Sequence, residues 1–125
     1  LSWNIPFPYS DTENYVLTSQ SLQETDQVHI WKGAAEDLIS TLKQKGGGHI
    51  WLIGGGSTNT RFWNAGLIDE LRIFYMPVII PDGIDLFEGQ PKQSYLELKE
   101  SHTYSSGAVE LRYLLNEKQE LEDTC

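Results

Sequence analysis

Three consecutive glycines followed by two hydroxyl residues form the stretch of this sequence that is best suited to bind a ligand. Gly54, Gly55 and Gly56 follow a short apolar run, and Ser57 and Thr58 come next. A glycine turn lets a ligand approach bare backbone, and the first N–H groups of a helix have no partner within the helix. Where a strand leads into a helix, this pattern is typical of a site for an anion, most often a phosphate.

The same glycines also have a purely structural interpretation, because strand-to-helix connections use glycine where two elements pack closely. Two common phosphate motifs do not fit. A P-loop needs lysine and then serine or threonine after its last glycine, but residues 59–61 are Asn-Thr-Arg. The dinucleotide fingerprint needs glycine where this chain has Asn59. The sequence therefore predicts either a phosphate-binding turn of another kind or a packing turn.

The elements on either side of the glycines would position such a site. The apolar run 49–53, His-Ile-Trp-Leu-Ile, is too short for a typical helix and predicts a strand buried on both faces. Ser57 and Thr58 are good helix N-caps, so a helix is expected to begin there. Phe62 and Trp63 would then pack back onto the sheet.

Upstream of this region, residues 15–18 and 27–31 are predicted strands, and residues 34–45 are a predicted helix that ends at Gly46. Apolar residues recur along one face of this helix, namely Ala35, Leu38, Ile39 and Leu42. The strand–helix–strand order predicts a right-handed crossover between parallel strands. The polar residues 18–21 follow the first strand, where they either offer hydrogen bonds at the rim of the sheet or begin a turn.

Downstream, residues 71–76 predict a strand that Pro77 interrupts before the apolar residues 78–80. Residues 81–83 are a predicted turn, after which Ile84, Leu86 and Phe87 are expected to return to the core. The alternating residues from 95 onward and 109–113 flank the turn residues 105–107, which predicts an antiparallel hairpin with one buried face. The predicted fold is α/β, with a mixed sheet that is parallel at its centre and antiparallel at its C-terminal end.

Length and charge exclude several classes of function. The chain has 125 residues, which suits one domain. Its net charge of −9 argues against nucleic acid and anionic membranes, and it opposes a phosphate ligand at long range. The single cysteine, Cys125, permits no internal disulfide and indicates a reducing cytoplasm. No signal peptide or long apolar run occurs, so the protein is expected to be soluble.

Other residues that could do chemistry have ordinary structural interpretations. The three histidines, His29, His49 and His102, lack metal-ligand spacing, so no metal is predicted. The adjacent carboxylates of residues 69 and 70 open a strand and would point to opposite faces, which indicates a solvated pair rather than an acid–base pair. Arg61 could reach either a phosphate or a surface carboxylate.

The order of these elements, together with two segments, resembles the dihydrofolate reductase-like superfamily. The first segment is the glycine turn followed by Phe-Trp-Asn-Ala-Gly-Leu-Ile-Asp-Glu-Leu at 62–71, and the second is Pro-Val-Ile-Ile-Pro-Asp-Gly-Ile-Asp-Leu-Phe at 77–87. The chain is most similar to the branch that includes the C-terminal reductase domain of bacterial riboflavin biosynthesis. The resemblance covers residues 1–115, as the C-terminal two-thirds of such a domain, and leaves 116–125 as an acidic tail.

The resemblance implies a three-layer α/β/α sandwich, a small heterocyclic substrate such as a pterin, NADPH as cofactor and a homodimer. It places the cofactor pyrophosphate at residues 54–58, that is Gly54, Gly55, Gly56, Ser57 and Thr58. It places Thr18, Ser19 and Gln20 at the adenosine end, and Leu52 or Ile53 at the nicotinamide edge. Gln20 stands where many relatives carry a basic residue, so the resemblance does not decide between NADPH and NADH.

A second interpretation is a non-catalytic module. A reductase-like fold without its N-terminal strand and helix would leave an apolar surface, and such a surface favours a binding or self-assembly partner. Trp3, Phe7 and Trp31 are candidates to line it. In this interpretation the fold persists through association rather than through catalysis.

Overall fold

The computed structural model describes residues 11–115, which divide into two compact units at the boundary between Gly48 and His49. The expected loop at residues 1–10, with Trp3 and Phe7, and the acidic tail at 116–125 lie outside the described residues. Within the described range the elements in chain order are β1 (Asn14–Leu17), β2 (Val28–Trp31), α1 (Ala35–Lys45), α2 (Gly56–Asn64), β3 (Glu70–Tyr75), β4 (Leu96–Thr103) and β5 (Val109–Leu115).

In the first unit, β1 and β2 form a parallel pair, in register from Asn14 opposite Val28 to Leu17 opposite Trp31. The rings of Tyr15 and His29, which are cross-strand partners, stack with centroids 4.9 Å apart. This aromatic pair supports the register, because directly opposed side chains on one face are in contact. The two strands predicted here are therefore confirmed to within one residue at their ends.

The predicted helix of the first unit is confirmed as α1. Ala35, Leu38 and Ile39 are buried, and Leu42 is half-buried, as the apolar spacing predicts. Gly46 ends the helix with a φ of 71°, a left-handed conformation that glycine adopts without steric cost. Acidic side chains in its first turn and basic ones in its last complement the helix dipole.

In the second unit, β3, β5 and β4 form an antiparallel sheet in that order. The predicted C-terminal hairpin is confirmed: β4 and β5 pair from Leu96 opposite Leu115 to Thr103 opposite Val109, with an irregularity between Leu98 and Glu100. Its apolar face is incompletely covered, because Leu98 is 52% exposed. Burial of one whole face, as predicted from the alternation, is therefore wrong at β4.

The predicted buried strand at 49–53 is wrong. This run has no regular secondary structure, and Trp51 and Ile53 are 76% and 70% exposed. A strand is held by backbone hydrogen bonds to a neighbouring strand, and none of the described strands pairs with residues 49–53. Without that partner, apolar composition is insufficient to produce a strand. The predicted crossover from β2 through α1 to a parallel strand is incomplete, because residues 49–53 do not form that strand.

The segment after β3 also differs from its prediction. Pro77 does end the strand, but Val78, Ile79 and Ile80 form no strand and are exposed. Ile84 and Leu86 remain exposed instead of returning to the core, whereas Phe87 is half-buried. The apolar pattern predicted burial, but the described residues supply no surface that covers these side chains.

The mixed α/β class, with both parallel and antiparallel pairing, is confirmed, while the three-layer arrangement stays a prediction. The single domain over residues 1–115 likewise stays a prediction. Neither helix in the described part of the chain is long and apolar enough to span a bilayer.

Candidate functional site

The candidate site is the N-terminus of α2, which begins directly after the exposed glycines. Gly55 is the N-cap, with φ −78° and ψ 177°, and its carbonyl accepts a hydrogen bond from the N–H of Asn59 at 2.9 Å. No carbonyl among the described residues accepts from the N–H groups of Gly56, Ser57 or Thr58. These three donors and the positive end of the helix dipole are the physical requirements of an anion site.

Ser57 and Thr58 do not cap the helix, which corrects the predicted start. They lie in its first turn, and the extended residue before the helix is Gly55, which has no side chain to form a capping bond. An N-cap side chain would occupy the first N–H groups, so a glycine at this position leaves them available. The methyl Cγ2 of Thr58 faces Gly54, where an added Cβ would lie 3.0 Å from it.

The three glycines of the turn have different surroundings. A Cβ added to Gly56 would collide with the carbonyl oxygen of Asp85 and lie 2.6 Å from Cγ of Glu88. The N–H of Glu88 also donates to the carbonyl of Gly56 at 3.1 Å. A Cβ added to Gly55 meets nothing within 4 Å. The packing interpretation therefore holds for Gly56, while the backbone at Gly55 is open to a ligand.

Neither Phe62 nor Trp63 blocks this helix N-terminus. Phe62 is buried. The indole N–H of Trp63 donates to the carbonyl of Lys92 at 2.7 Å, and its ring lies against Phe87 with centroids 5.5 Å apart. Both aromatic side chains belong to the second half of α2, so neither occupies the first turn of the helix.

The predicted adenosine-end residues lie in the other unit. The hydroxyl oxygen of Thr18 accepts a hydrogen bond from the N–H of Gln20 at 3.0 Å, which is a local turn. The turn alternative is thus observed for Thr18, while Ser19 and Gln20 are exposed. The roles of these residues toward a cofactor stay predictions, as does the role of Leu52 or Ile53.

Sequence reasoning missed a set of hydrogen bonds through which α2 holds the loop that follows the Pro-Asp-Gly turn. The side chain of Asn59 donates to the carbonyl of Leu86 at 3.0 Å, and the hydroxyl of the buried Thr60 donates to the carbonyl of Glu88 at 2.6 Å. The side chain of Asn64 donates to the carbonyl of Gln90 and accepts from the N–H of Lys92. The carbonyl of Lys92 also accepts the hydrogen bond from the indole of Trp63.

This loop clamp, formed by Asn59, Thr60, Trp63 and Asn64, connects α2 to the loop at residues 86–92. Polar side chains that face a loop satisfy its backbone groups, which would otherwise lack partners. The available signal was the polar sequence Asn-Thr at 59–60 in a helix that otherwise has a single buried aromatic residue. Asn and Thr are poor choices for a helix interior unless their side chains have a partner.

A second polar cluster covers one face of the antiparallel sheet. The guanidinium of Arg112 lies 3.2 Å from Glu70 and 3.4 Å from Glu100, and Arg72 lies 3.4 Å from Glu70. Hydrogen bonds to Glu100 and Glu70 raise the pKa of Arg112. These groups surround a shallow depression of about 330 Å³, lined by Arg72, Glu100, His102, Tyr104, Glu110 and Arg112.

In this cluster each of the three carboxylates, Glu70, Glu100 and Glu110, forms an ion pair with an arginine, so it offers no unpaired charge to a ligand. Glu70 is part of it, which gives that carboxylate a structural role in place of the solvated pair expected at 69 and 70. The sequence did contain evidence for this cluster. Glu70 and Arg72 in β3, and Glu110 and Arg112 in β5, are two residues apart, which places each pair on one face of its strand.

Arg61 and the histidines belong to no further candidate site among the described residues. Arg61 is exposed and forms no ion pair with a described carboxylate. The ring of His102 lies edge-on to Tyr104 with centroids 4.4 Å apart. In residues 11–115, no three side chains of the metal-ligating types come together.

The sequence is similar to a known protein family and to two known proteins. The chain matches the family model of the RibD C-terminal domain over residues 7–109. It is 38% identical over 78 residues to the uncharacterized protein YyaP of Bacillus subtilis, and 33% identical over 109 residues to YwjB of the same organism. It covers 42% and 62% of those two proteins, so it spans about half the length of the curated relatives it matches.

Two solved structures share the fold. A protein of Shewanella sp. PV-4, whose name refers to riboflavin biosynthesis, matches with a TM-score of 0.78 and 26% identity, covering 90% of this chain and 65% of its own. A pyrimidine reductase-like protein of Corynebacterium diphtheriae matches with a TM-score of 0.58 and 21% identity, covering 71% of this chain and 38% of its own. The second likeness concerns the fold alone.

Proposed function

The chain belongs to the RibD C-terminal domain family, and from that premise we propose that it is the cofactor-binding part of an NADPH-dependent reductase of a small heterocyclic substrate. The resemblance to the dihydrofolate reductase-like superfamily is thereby confirmed at the level of the family. The observation that carries the proposal is the open N-terminus of α2, where the N–H groups of Gly56, Ser57 and Thr58 follow an N-cap glycine that leaves space for a ligand.

The residues at this helix start fit a diphosphate. Gly55 would allow the pyrophosphate to approach the backbone, and the three N–H groups would donate hydrogen bonds to its oxygens. Gly56 would keep these donors in place, because its contact with residues 85–88 positions the first turn of α2. We propose that Ile53 or Leu52, which precede the turn, lie at the nicotinamide edge, and that Thr18, Ser19 and Gln20 lie at the adenosine end.

The cofactor, when bound, supplies the hydride, so the protein is not required to provide a catalytic acid–base pair at this site. What this part of the chain contributes is binding and orientation. The loop clamp supports that role, because four side chains of α2 hold residues 86–92 and thereby stiffen the structure behind the helix N-terminus.

Replacement of Gly55 by aspartate tests the proposal, because aspartate should improve the N-cap of α2 and at the same time block the anion site. Aspartate is a favourable N-cap, and the backbone angles of Gly55 suit it, so the free energy of unfolding is expected to stay the same or rise by a few tenths of a kcal/mol. Its carboxylate would occupy the first N–H groups and repel a diphosphate. We expect NADPH to bind at least about tenfold more weakly, which corresponds to about 1.4 kcal/mol.

Binding is measured by titrating NADPH while following tryptophan fluorescence and the melting temperature. Gly48→Asp is the matched control, because it adds the same charge at an open glycine outside the candidate site. The proposal fails if the wild-type chain shows no response at millimolar NADPH, or if Gly55→Asp binds the cofactor as well as Gly48→Asp does.

A further inference from the structure

Arg61 is the one charged side chain of α2, and its guanidinium forms no ion pair with a carboxylate of residues 11–115. It is exposed. The two other arginines of the chain, Arg72 and Arg112, both pair with carboxylates of the antiparallel sheet. The chain has 18 acidic and 9 basic residues, so partners for an arginine are plentiful. An arginine that has none of them is available to an anionic ligand, and its planar group suits a phosphate.

Helical spacing places Arg61 beside the candidate anion site. Ser57 and Thr58 lie four and three residues before it, so the three side chains share one side of α2. A long side chain in a helix leans toward the N-terminus and covers the preceding turn. Gly56 is five residues before Arg61, which is about 7.5 Å along the helix axis and within the span of an extended arginine. The guanidinium therefore reaches the end of α2 at which the N–H groups of residues 56–58 open.

The remaining side chains of α2 leave this side of the helix open to a ligand. The loop clamp and the buried Phe62 occupy the other side, whereas Ser57 and Arg61 are both exposed. The first turn of α2 contains no acidic residue, although the first turn of α1 contains Glu36 and Asp37. No carboxylate of α2 therefore competes with an anion for the first N–H groups or for Arg61.

We propose that Arg61 binds the 2′-phosphate of the adenosine ribose, the group that distinguishes NADPH from NADH. This assignment rests on the proposed function, because it requires the cofactor diphosphate to lie at the N-terminus of α2. There the N–H groups serve the diphosphate, and the arginine is left for the second phosphate. A terminal phosphate carries close to two negative charges, which a chain of net charge −9 repels unless a cation contacts it. The residues expected at the adenosine end, 18–20, are uncharged, so Arg61 supplies that cation.

Titrations of the 125-residue chain with NADPH and with NADH test the assignment, with tryptophan fluorescence as the readout. The wild type should bind NADPH more tightly than NADH. Arg61→Gln should weaken NADPH binding by at least about tenfold, because a charge-assisted phosphate contact is lost. It should change NADH binding by less than about twofold, as expected of an exposed position that does not contact that ligand. Arg61→Lys keeps the charge without the planar group, so it should retain part of the preference for NADPH.

Lys99→Gln is the matched control, because it removes one positive charge from β4, where Lys99 pairs with Glu97, and it should leave the ratio of the two affinities unchanged. If the wild type binds neither nucleotide, the proposed function fails and this assignment with it.

Three other results overturn the role of Arg61 alone. The first is equal affinity of the wild type for NADPH and NADH. The second is equal weakening of both nucleotides by Arg61→Gln, which would place the arginine at the diphosphate that they share. The third is an Arg61→Gln variant with a lower melting temperature and an unchanged affinity ratio. That result would leave Arg61 only its favourable interaction with the dipole in the last turn of α2.

Discussion

In the polar cluster on the antiparallel sheet, a single hydrogen bond shifts the pKa of Tyr104. Its hydroxyl donates to Glu110 at 2.5 Å, and this hydrogen bond, together with desolvation and the negative charge of Glu110, raises the pKa of Tyr104 above its ordinary value of 10.0, which the nearby Arg72 partly offsets. The neutral form of Tyr104 is therefore favoured in the folded protein. Its stabilising contribution is present below pH 10 and is lost as the pH rises through the raised pKa.

We predict that Tyr104→Phe removes a tyrosine whose pKa is raised above 10.0, as followed by the ultraviolet absorbance of tyrosinate. The difference in unfolding free energy between this variant and the wild type should shrink above pH 10, because the wild type then loses the hydrogen bond. Glu110→Gln is the control: it removes the negative charge and should move the titration of Tyr104 toward lower pH. An unchanged titration curve apart from a uniform loss of amplitude would contradict the prediction.

At the scale of elements, the junction between α2 and the loop at 85–92 is the tightest contact of the candidate site. Gly56 is required there by close backbone approach and not by its conformation, because its φ lies outside the left-handed region. Thr60 and Asn59 then hold the loop from the same helix. The helix start and the loop are thus one structural assembly, and the donors at the helix N-terminus depend on it.

We predict that Gly56→Ala lowers the free energy of unfolding by about 1–3 kcal/mol, because the added methyl group forces the backbone of residues 85–88 away from the helix. Alanine is otherwise the better helix former, so a stabilising effect would show that the contact relaxes without cost. Denaturant unfolding measures the change. Gly48→Ala is the control, because an added Cβ meets nothing there and should be neutral or slightly stabilising.

At the scale of the whole molecule, the net charge of −9 acts against the proposed ligand. The attraction from the N–H groups of α2 is short in range, whereas the repulsion from the surplus of carboxylates extends over the Debye length, about 30 Å at 0.01 M salt and about 8 Å at 0.15 M. Salt therefore reduces the repulsion during approach more than it reduces the final contacts.

We predict that the association rate constant of NADPH rises between these two salt concentrations, as measured by stopped-flow tryptophan fluorescence. A basic binding surface gives the opposite dependence. A rate that falls with salt would contradict this prediction and would indicate that an exposed cation, with Arg61 as the first candidate, steers the ligand. The expected homodimer stays a prediction, and light scattering on the 125-residue chain tests it.

The sequence by itself determined the features that depend on local pattern. The periodicity of α1, the pairing of the C-terminal hairpin, the glycine turn that leads into α2 and the family all follow from residues close together along the chain. These interactions act over a few residues, so composition and spacing are enough to predict them. The acidic balance, which opposes an anionic ligand, is equally a property of the sequence alone.

Only the tertiary structure decided which apolar runs find a partner. The runs 49–53 and 78–80 have the composition of buried strands, but a strand exists only where another backbone pairs with it, and none of the described strands does so. The different surroundings of Gly55 and Gly56 likewise depend on residues far along the chain, because only Gly56 lies against residues 85–88. Long-range pairing and close approach depend on the three-dimensional arrangement, which local pattern does not contain.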